Sequence, residues 1–390
     1  MKNRFNILNT LLLITLLLTL TSCSSVKLFS PISIEEFISS NSGQQVIKAK
    51  VTEVISTDVQ VEDYYGEEKV IETIEFSSNI IEKNIVDKTI NCRQVIDNTE
   101  GYMTQTVKQG DTIYIYASIQ NGQVIGDFVE YARVPYLIIF GVLFALVLLV
   151  FSGLKGLRSL VALIVTCAVI FFAFIPLLIN GHNIMILAIG TCIIVTIITL
   201  LIVCGFRIKA LSSIIGCTLG FLIAGLLAFI MQKLMNMTGL TDTFANTLFF
   251  HFKLDMNGLM FAAIIIGALG ATMDVAVSIA SSLEEIISHR EGDITRKEII
   301  KSGMKIGGDI MGTMTNTLIL AYVGSSLPVI VLIYANSAQL QYTLSWELFS
   351  SEFIRAIAGS IGLVCTVPAT AIVTALLHHK IKAKKSLGTM

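Results

Sequence analysis

The stretch "GALGATMDVAVSIASSLEEI", Gly267 to Ile286, places one aspartate inside an apolar run that is long enough to enter a membrane. At 3.6 residues per turn its small and polar residues fall on one stripe of a helix, which contains Gly267, Gly270, Asp274 and Ser278. A charge near the centre of a bilayer costs about 3 kcal/mol, so such a group is tolerated where it faces a cavity, a partner or a proton. The stretch therefore predicts a membrane span whose polar stripe is turned away from lipid.

The composition places most of the chain in a membrane. Of its 390 residues 54% are hydrophobic and 14% are charged, and the mean hydropathy is +0.77, whereas soluble domains average about 25% charged residues. The net charge of -1 offers no basic field for nucleic acid. Apolar runs near the ~20 residues that a bilayer requires predict a seven-span α-helical membrane domain over 134–379, with spans at 135–153, 158–180, 184–204, 211–232, 257–283, 307–334 and 354–377.

The first 23 residues have the architecture of a signal sequence. Lys2 and Arg4 precede a short leucine-rich run, and the run ends in "LTSC", which resembles a bacterial lipobox. If the chain is cleaved there, Cys23 becomes the lipidated first residue of the mature protein. The alternative is a retained signal anchor. Both readings place residue 24 onward outside the cytoplasm.

Residues 24–133 form a separate, polar region. "QQVIKAKVTEVI", "VIETIEFS" and "DTIYIYASI" alternate in polarity and are rich in β-branched residues, which is typical of strands. We expect an exported β-rich domain of five or six strands, with a barrel of the OB or biotinyl-like kind as one candidate. The region is acidic but lacks the spacing of a catalytic triad or a metal cage. No CxxC spacing occurs among the seven cysteines, so we expect no metal and no cofactor.

The basic residues of the short connections set the predicted orientation. Positive charge favours cytoplasmic loops, and it recurs in every second connection: "GLKGLR", "FRIKA", the loop of residues 290–305 and the basic tail of residues 380–390. The connections between them are poor in lysine and arginine. We therefore expect a multi-pass protein of the bacterial cytoplasmic membrane with residues 24–133 outside and the C-terminus inside.

A second polar stripe follows in the next predicted span, "KIGGDIMGTMTNTLILAYVG". Asp309, Thr313 and Asn316 share one face at helical spacing, so we expect them to line one crevice with Asp274 and Ser278. Small residues let helices approach closely, and the candidates for helix packing are Gly267, Gly270, Gly308 and Gly312. Two alternatives stay open. Asp309 could be an acid in the first turn of a helix, and Asp274 could be a structural residue that neighbouring hydroxyl or amide groups satisfy.

These motifs carry a resemblance to a known family. "IIIGALGATMDVAVSIASSLEEI", "FSGLKGLRSL" and "GGDIMGTMTNTLILAYVG", together with the upstream β-region, resemble the YibE/F-like family of bacterial multi-pass membrane proteins. The resemblance extends from about residue 45 to 377 and is densest over 264–325. It implies an architecture and a membrane location. It implies no activity and no set of site residues.

Three functions are compatible with this sequence. The first is permease-like movement of a small solute or ion through the polar crevice. The second is a membrane-anchored sensor or assembly protein whose exported β-domain binds a protein partner. The third is an intramembrane aspartyl hydrolase, because two aspartates on adjacent spans could share a proton. The third function lacks the GxGD pattern of intramembrane aspartyl proteases, since Ile306 stands where that pattern requires glycine. Asp274 is also preceded by Met273 rather than by tyrosine. We therefore expect no enzyme, and an oligomer is compatible with each function.

Overall fold

The computed structural model of the chain describes residues 45–64, 67–81, 89–97, 105–120, 123–241, 243–290, 294–335 and 340–387. The predictions for the signal sequence, including lipidation at Cys23, lie outside the described residues. The chain divides near residue 143 into two compact units, and each is described by itself.

The first unit contains a closed five-stranded barrel, as the alternating pattern predicted. Its strands are β1 (Gln45–Tyr64), β2 (Glu67–Ile80), β3 (Thr89–Asp97), β4 (Thr112–Gln120) and β5 (Gln123–Tyr131). They follow the order β1-β2-β3-β5-β4, and β1 closes the barrel by pairing with both β2 and β4. Only the β3–β5 pair is parallel among the described strands. This is a five-stranded Greek-key barrel of the OB kind.

The barrel interior is filled by apolar side chains from alternate strand positions. Ile47, Phe76 and Ile115 are fully buried, because successive residues of a strand point to opposite faces. Cys92 lies among them, with its Sγ 2.9 Å from the Ser78 Oγ. Burial raises the pKa of this thiol to about 11, so Cys92 stays protonated and acts as a small apolar residue of the core.

The second unit is helical. Its elements, with the first helix beginning before the unit boundary, are α1 (Val134–Val169), a π-helical turn (Ile170–Phe174), α2 (Ile175–Ile179), α3 (Ile184–Cys204), α4 (Ile208–Leu234), α5 (Thr243–Phe252), α6 (Met256–His289), α7 (Arg296–Ser325), α8 (Leu327–Ala335), α9 (Leu340–Leu344) and α10 (Glu347–Leu387). By length and composition, five helices of the described chain could each cross a membrane: Val134–Ile179, α3, α4, α6 and Glu347–His379.

The seven predicted spans are therefore not confirmed as seven. The predicted spans 135–153 and 158–180 fall in the one helical stretch Val134–Ile179, and the predicted span 307–334 is divided between α7 and α8. The stretch Val134–Ile179 is bent sharply at Gly153, whose φ is 53°. A β-carbon on Gly156 would lie 2.7 Å from the carbonyl oxygen of Leu148, whereas eight residues of straight helix span about 12 Å. This bend lies where the sequence predicted a connection between two spans.

The long helix α10 is the centre of the packed bundle, and α4 approaches it through small residues. A β-carbon on Gly216 would lie 2.0 Å from the Thr370 Oγ1, and one on Gly220 would lie 1.9 Å from the Thr366 Oγ1. A β-carbon on Gly362 of α10 would likewise lie 2.7 Å from the carbonyl oxygen of Gly220. The two helices therefore run antiparallel with their backbones in near contact, the arrangement that small residues permit in membranes.

The first half of α7 packs on α10 by the same device. Gly303 and Gly307 lie one helical turn apart, and their β-carbons would lie 2.7 Å from Ala371 and 2.1 Å from Val367. Gly303 also faces Leu283 of α6, so this pair of glycines fixes α7 against two helices at once. A side chain at either position would force α7 outward.

At its other end α10 is held by a carboxylate. Glu347, its first residue, accepts hydrogen bonds from the backbone N–H of Thr238 at 2.6 Å, from the Thr238 hydroxyl at 2.8 Å and from the N–H of Gly239. Gly239 has a φ of +78°, a conformation that favours glycine. The loop after α4 is thereby fastened to the start of α10.

The helix packing predicts that two glycine-to-alanine substitutions change the stability of the protein differently. Gly220→Ala should destabilise the protein by about 1–3 kcal/mol, because the added methyl overlaps α10. Gly190→Ala, on α3, should leave stability unchanged or raise it, since no described residue has an atom within 4 Å of its β-carbon and alanine favours helix. Thermal unfolding of both variants in the same detergent measures the difference, and equal midpoints would contradict the close approach of α4 and α10.

Candidate functional site

The polar stripe of α6 lies on the surface of the single chain. Gly267, Gly270, Asp274 and Ser278 are all exposed, while the opposite face of the helix, which includes Ile279, is buried in the bundle. Within the described ranges the Asp274 carboxylate accepts no hydrogen bond and forms no ion pair. The structure therefore offers no contact that would satisfy Asp274 as a structural residue.

The polar stripe of α7 is exposed as well. Gly308, Asp309, Gly312, Thr313 and Asn316 all lie on the outer face of the helix. The Thr313 hydroxyl donates to the Ile310 carbonyl oxygen of its own helix at 3.1 Å.

The start of α7 corrects one alternative reading of Asp309. The helix begins at Arg296, and its N-cap is Thr295, which forms a capping box with Glu298. The hydrogen bonds from Thr295 and from Arg290 lower the pKa of the Glu298 carboxyl to about 2. Asp309 lies in the interior of the helix, so the proposal that it is a first-turn acid is wrong. It lies one turn beyond Lys305, the last basic residue of α7.

Contacts between α6 and α7 give the positions of Asp274 and Asp309 relative to each other along the helix axes. Leu283 faces Gly303 and Gly267 faces Tyr322, so the helices are antiparallel and Asp274 lies level with residues 312–315 of α7. Asp309 is then offset from Asp274 by roughly 5–9 Å along the helix axes. The two stripes therefore lie on neighbouring helices, with Asp309 closer than Asp274 to the basic first half of α7.

Three of the four predicted packing glycines have no close neighbour among the residues that the structure describes. None of those residues has an atom within 4 Å of a β-carbon built on Gly270, Gly308 or Gly312. Gly267 differs, because its β-carbon would lie 2.8 Å from the Tyr322 hydroxyl oxygen. Helix packing within the chain uses other glycines, those of α4, α10 and the start of α7. The open glycines leave a shallow, polar-edged surface beside Asp274 and Asp309.

A second polar cluster lies at the far end of α7, and sequence reasoning missed most of it. The Arg355 Nη1 lies 2.9 Å from the Glu352 Oε1, and the Ser326 hydroxyl donates to the Glu352 Oε2 at 2.7 Å. Tyr322 lies one turn before Ser326, against Gly267 and Gly359. The i, i+3 spacing of glutamate and arginine at the start of the last span could have indicated this ion pair. The buried Arg355 Nε has no hydrogen-bond partner among the residues that the structure describes.

The polar groups of the two stripes could bind a cation or carry a proton. Exposed carboxylates, an amide and hydroxyl oxygens are ligands for a cation or carriers of a proton. In the part of the chain that the structure describes, no group of three or more His, Cys, Asp or Glu residues is placed to hold a metal ion. Asp274 and Asp309 therefore do not form a metal cage of their own.

Comparison with known proteins concerns the helical unit. The model of the YibE/F-like protein family matches residues 140–380, which leaves the barrel outside the matched region. No curated protein and no solved structure gives a match. Since the match covers more than half of the sequence, the chain belongs to the YibE/F-like family.

Proposed function

We propose that this protein is permease-like and moves a small solute or ion along the polar crevice between α6 and α7. The observation that carries the proposal is the exposure of Asp274 and Asp309, without ion-pair partners among the described residues, on neighbouring antiparallel helices. Carboxylates at membrane depth are expensive, and they commonly mark ion pathways and proton relays. A structural pair would be buried and hydrogen-bonded instead.

The spacing of the carboxylates favours a bound ion or solute over hydrolysis. An aspartyl hydrolase needs two carboxylates close enough to share one proton. The offset of roughly 5–9 Å along the helix axes separates Asp274 from Asp309 and leaves room between them. Asn316 and Ser278 add neutral polar groups along the same path.

In a single chain the crevice is open on one side. Lipid against this side would leave each carboxylate facing hydrocarbon at a cost of about 3 kcal/mol. The proposal therefore includes a second copy of the chain as the missing wall. Gly308 and Gly312 support it, because they form an unoccupied GxxxG surface of the kind on which membrane helices pair.

The orientation proposed from the basic connections gives the crevice a direction. With lysine and arginine on the cytoplasmic side, Asp309 lies near the inner mouth, one turn beyond Lys305. Asp274 is then the deeper site. Tyr322 and the Glu352–Arg355 pair then lie toward the outer end of the crevice.

Charge removal tests the pathway directly. In proteoliposomes with an imposed gradient, Asp274→Asn and Asp309→Asn should each lower proton or monovalent-cation flux at least about tenfold, because each removes a charge from the path. Glu285→Gln is the matched control, since Glu285 is an exposed carboxylate at the end of the same helix, and its flux should equal that of the wild type. Absence of flux in the wild type, or equal flux in all variants, would contradict transport by this crevice.

The stability of an apolar variant separates a functional carboxylate from a structural one. Asp274→Leu should leave the thermal midpoint in lipid nanodiscs unchanged or raise it, because it removes an unpaired charge from the membrane. Thr272→Val is the control on the same helix: it breaks the bonds of a buried hydroxyl to the Ala268 and Leu269 carbonyls and should cost about 1 kcal/mol. A fall with Asp274→Leu as large as that control would show that Asp274 is structural.

A further inference from the structure

Strand β1 is longer than the barrel needs. β4 pairs with it only from Gln45 to Lys50, and the loop at Gly110 and Asp111 extends this contact to Val51. β2 pairs with it as far as Tyr64. From Thr52 to Tyr64, β1 therefore has a neighbouring strand on only one side among the described residues. A free strand edge of this length presents a row of unpaired N–H and C=O groups that can receive another strand.

The part of this edge that could accept a strand is regular. Register shifts occur between Val51 and Glu53 and between Val54 and Ser56, and bulges of this kind twist an edge away from pairing. From Ser56 to Tyr64 the pairing with β2 is continuous. Nine residues of strand extend about 30 Å, which is enough for a peptide of seven to nine residues.

The side chains of this ribbon combine exposed apolar groups with negative charge. Ile55, Val59 and Val61 are 54–59% exposed. Over residues 52–61 and 70–75, where the structure describes the side chains, four residues are acidic and none is a lysine or arginine: Glu53, Asp58, Glu72 and Glu75. Val59 pairs with Glu72 across the two strands, so an apolar and an acidic group adjoin on one face.

The negative charge of β1 and β2 indicates which kind of strand could bind at the free β1 edge. A second copy of the ribbon would bring like charges together, which disfavours pairing between copies. The basic segments of this chain, around Lys301 and in residues 380–385, lie in helices α7 and α10 and are not extended. We propose that the regular β1 edge from Ser56 to Tyr64 binds an extended, positively charged segment of another protein, which adds to the barrel as a further strand.

This inference depends on the barrel alone and not on transport. Backbone hydrogen bonds would supply the pairing, as in other cases of strand addition. The carboxylates would attract the basic segment and set its register, and alternate apolar side chains of the partner would cover Val59 and Val61. The partner is therefore a protein with an exposed segment in which basic and β-branched residues alternate.

The experiment uses the full-length protein in nanodiscs and two synthetic probes. The first probe is an octapeptide of alternating lysine and valine, and the second replaces each valine by proline, which keeps the charge but cannot pair in a sheet. We expect the first peptide to bind at least about tenfold more tightly, with an isotope-edited infrared band at the strand position. Equal binding of both peptides, or no binding of the first, would overturn the proposal.

Two variants locate the binding. Asp58→Lys should weaken binding of the lysine–valine peptide about fivefold or more, since Asp58 lies in the regular part of the edge and is exposed. Glu285→Lys changes the net charge equally but lies in α6, and it should have no effect. Equal effects of the two variants would overturn the assignment to β1. A disulfide between two copies of Thr57→Cys, formed in the absence of peptide, would overturn it in favour of self-pairing.

Discussion

The close approach of helices to α10 is the constraint on which the helical unit depends. Five glycines at these contacts leave no room for a side chain: Gly216 and Gly220 of α4, Gly303 and Gly307 of α7, and Gly362 of α10. In a bilayer, helices gain little from burying apolar surface against one another, so packing contacts and backbone proximity hold them together. Because these glycines fix α4 and α7 against adjacent faces of α10, they also determine which faces of α6 and α7 are left outside.

The exposed polar stripes follow from that arrangement. The first half of α7 uses Gly303 and Gly307 to contact α10, so the glycines at 308 and 312 point elsewhere, together with Asp309 and Asn316. On α6 the buried face is apolar, and Asp274 lies on the side that the bundle leaves free. The bundle is packed without these carboxylates. Their cost in a membrane therefore needs a function to account for it, and ion or solute movement is the one we propose.

Periodicity predicted much of the fold and part of the site. The strands of the barrel, the apolar helices and the polar stripes around Asp274 and Asp309 all follow from alternation and helical spacing. The packing glycines of α7 were not predicted, because the helix carries two consecutive GxxxG pairs, Gly303–Gly307 and Gly308–Gly312, and the sequence does not show which pair contacts a neighbouring helix. The contact of Ser326 with Glu352 was not predicted, because it joins residues that are 26 positions apart in the sequence.

We propose that the polar stripe at Asp274 lines a water-filled path within the membrane. The accessibility of an introduced cysteine to a water-soluble reagent tests this proposal. Asp274→Cys and Ile194→Cys would be compared in membranes, in a background without other reactive thiols, with a small, water-soluble methanethiosulfonate. Ile194 is 50% exposed on α3, where we expect lipid, and thiols react as thiolates in water. Cysteine at position 274 should be modified rapidly and cysteine at position 194 not at all. Equal protection at both positions would contradict the proposal, since the stripe would then be dry.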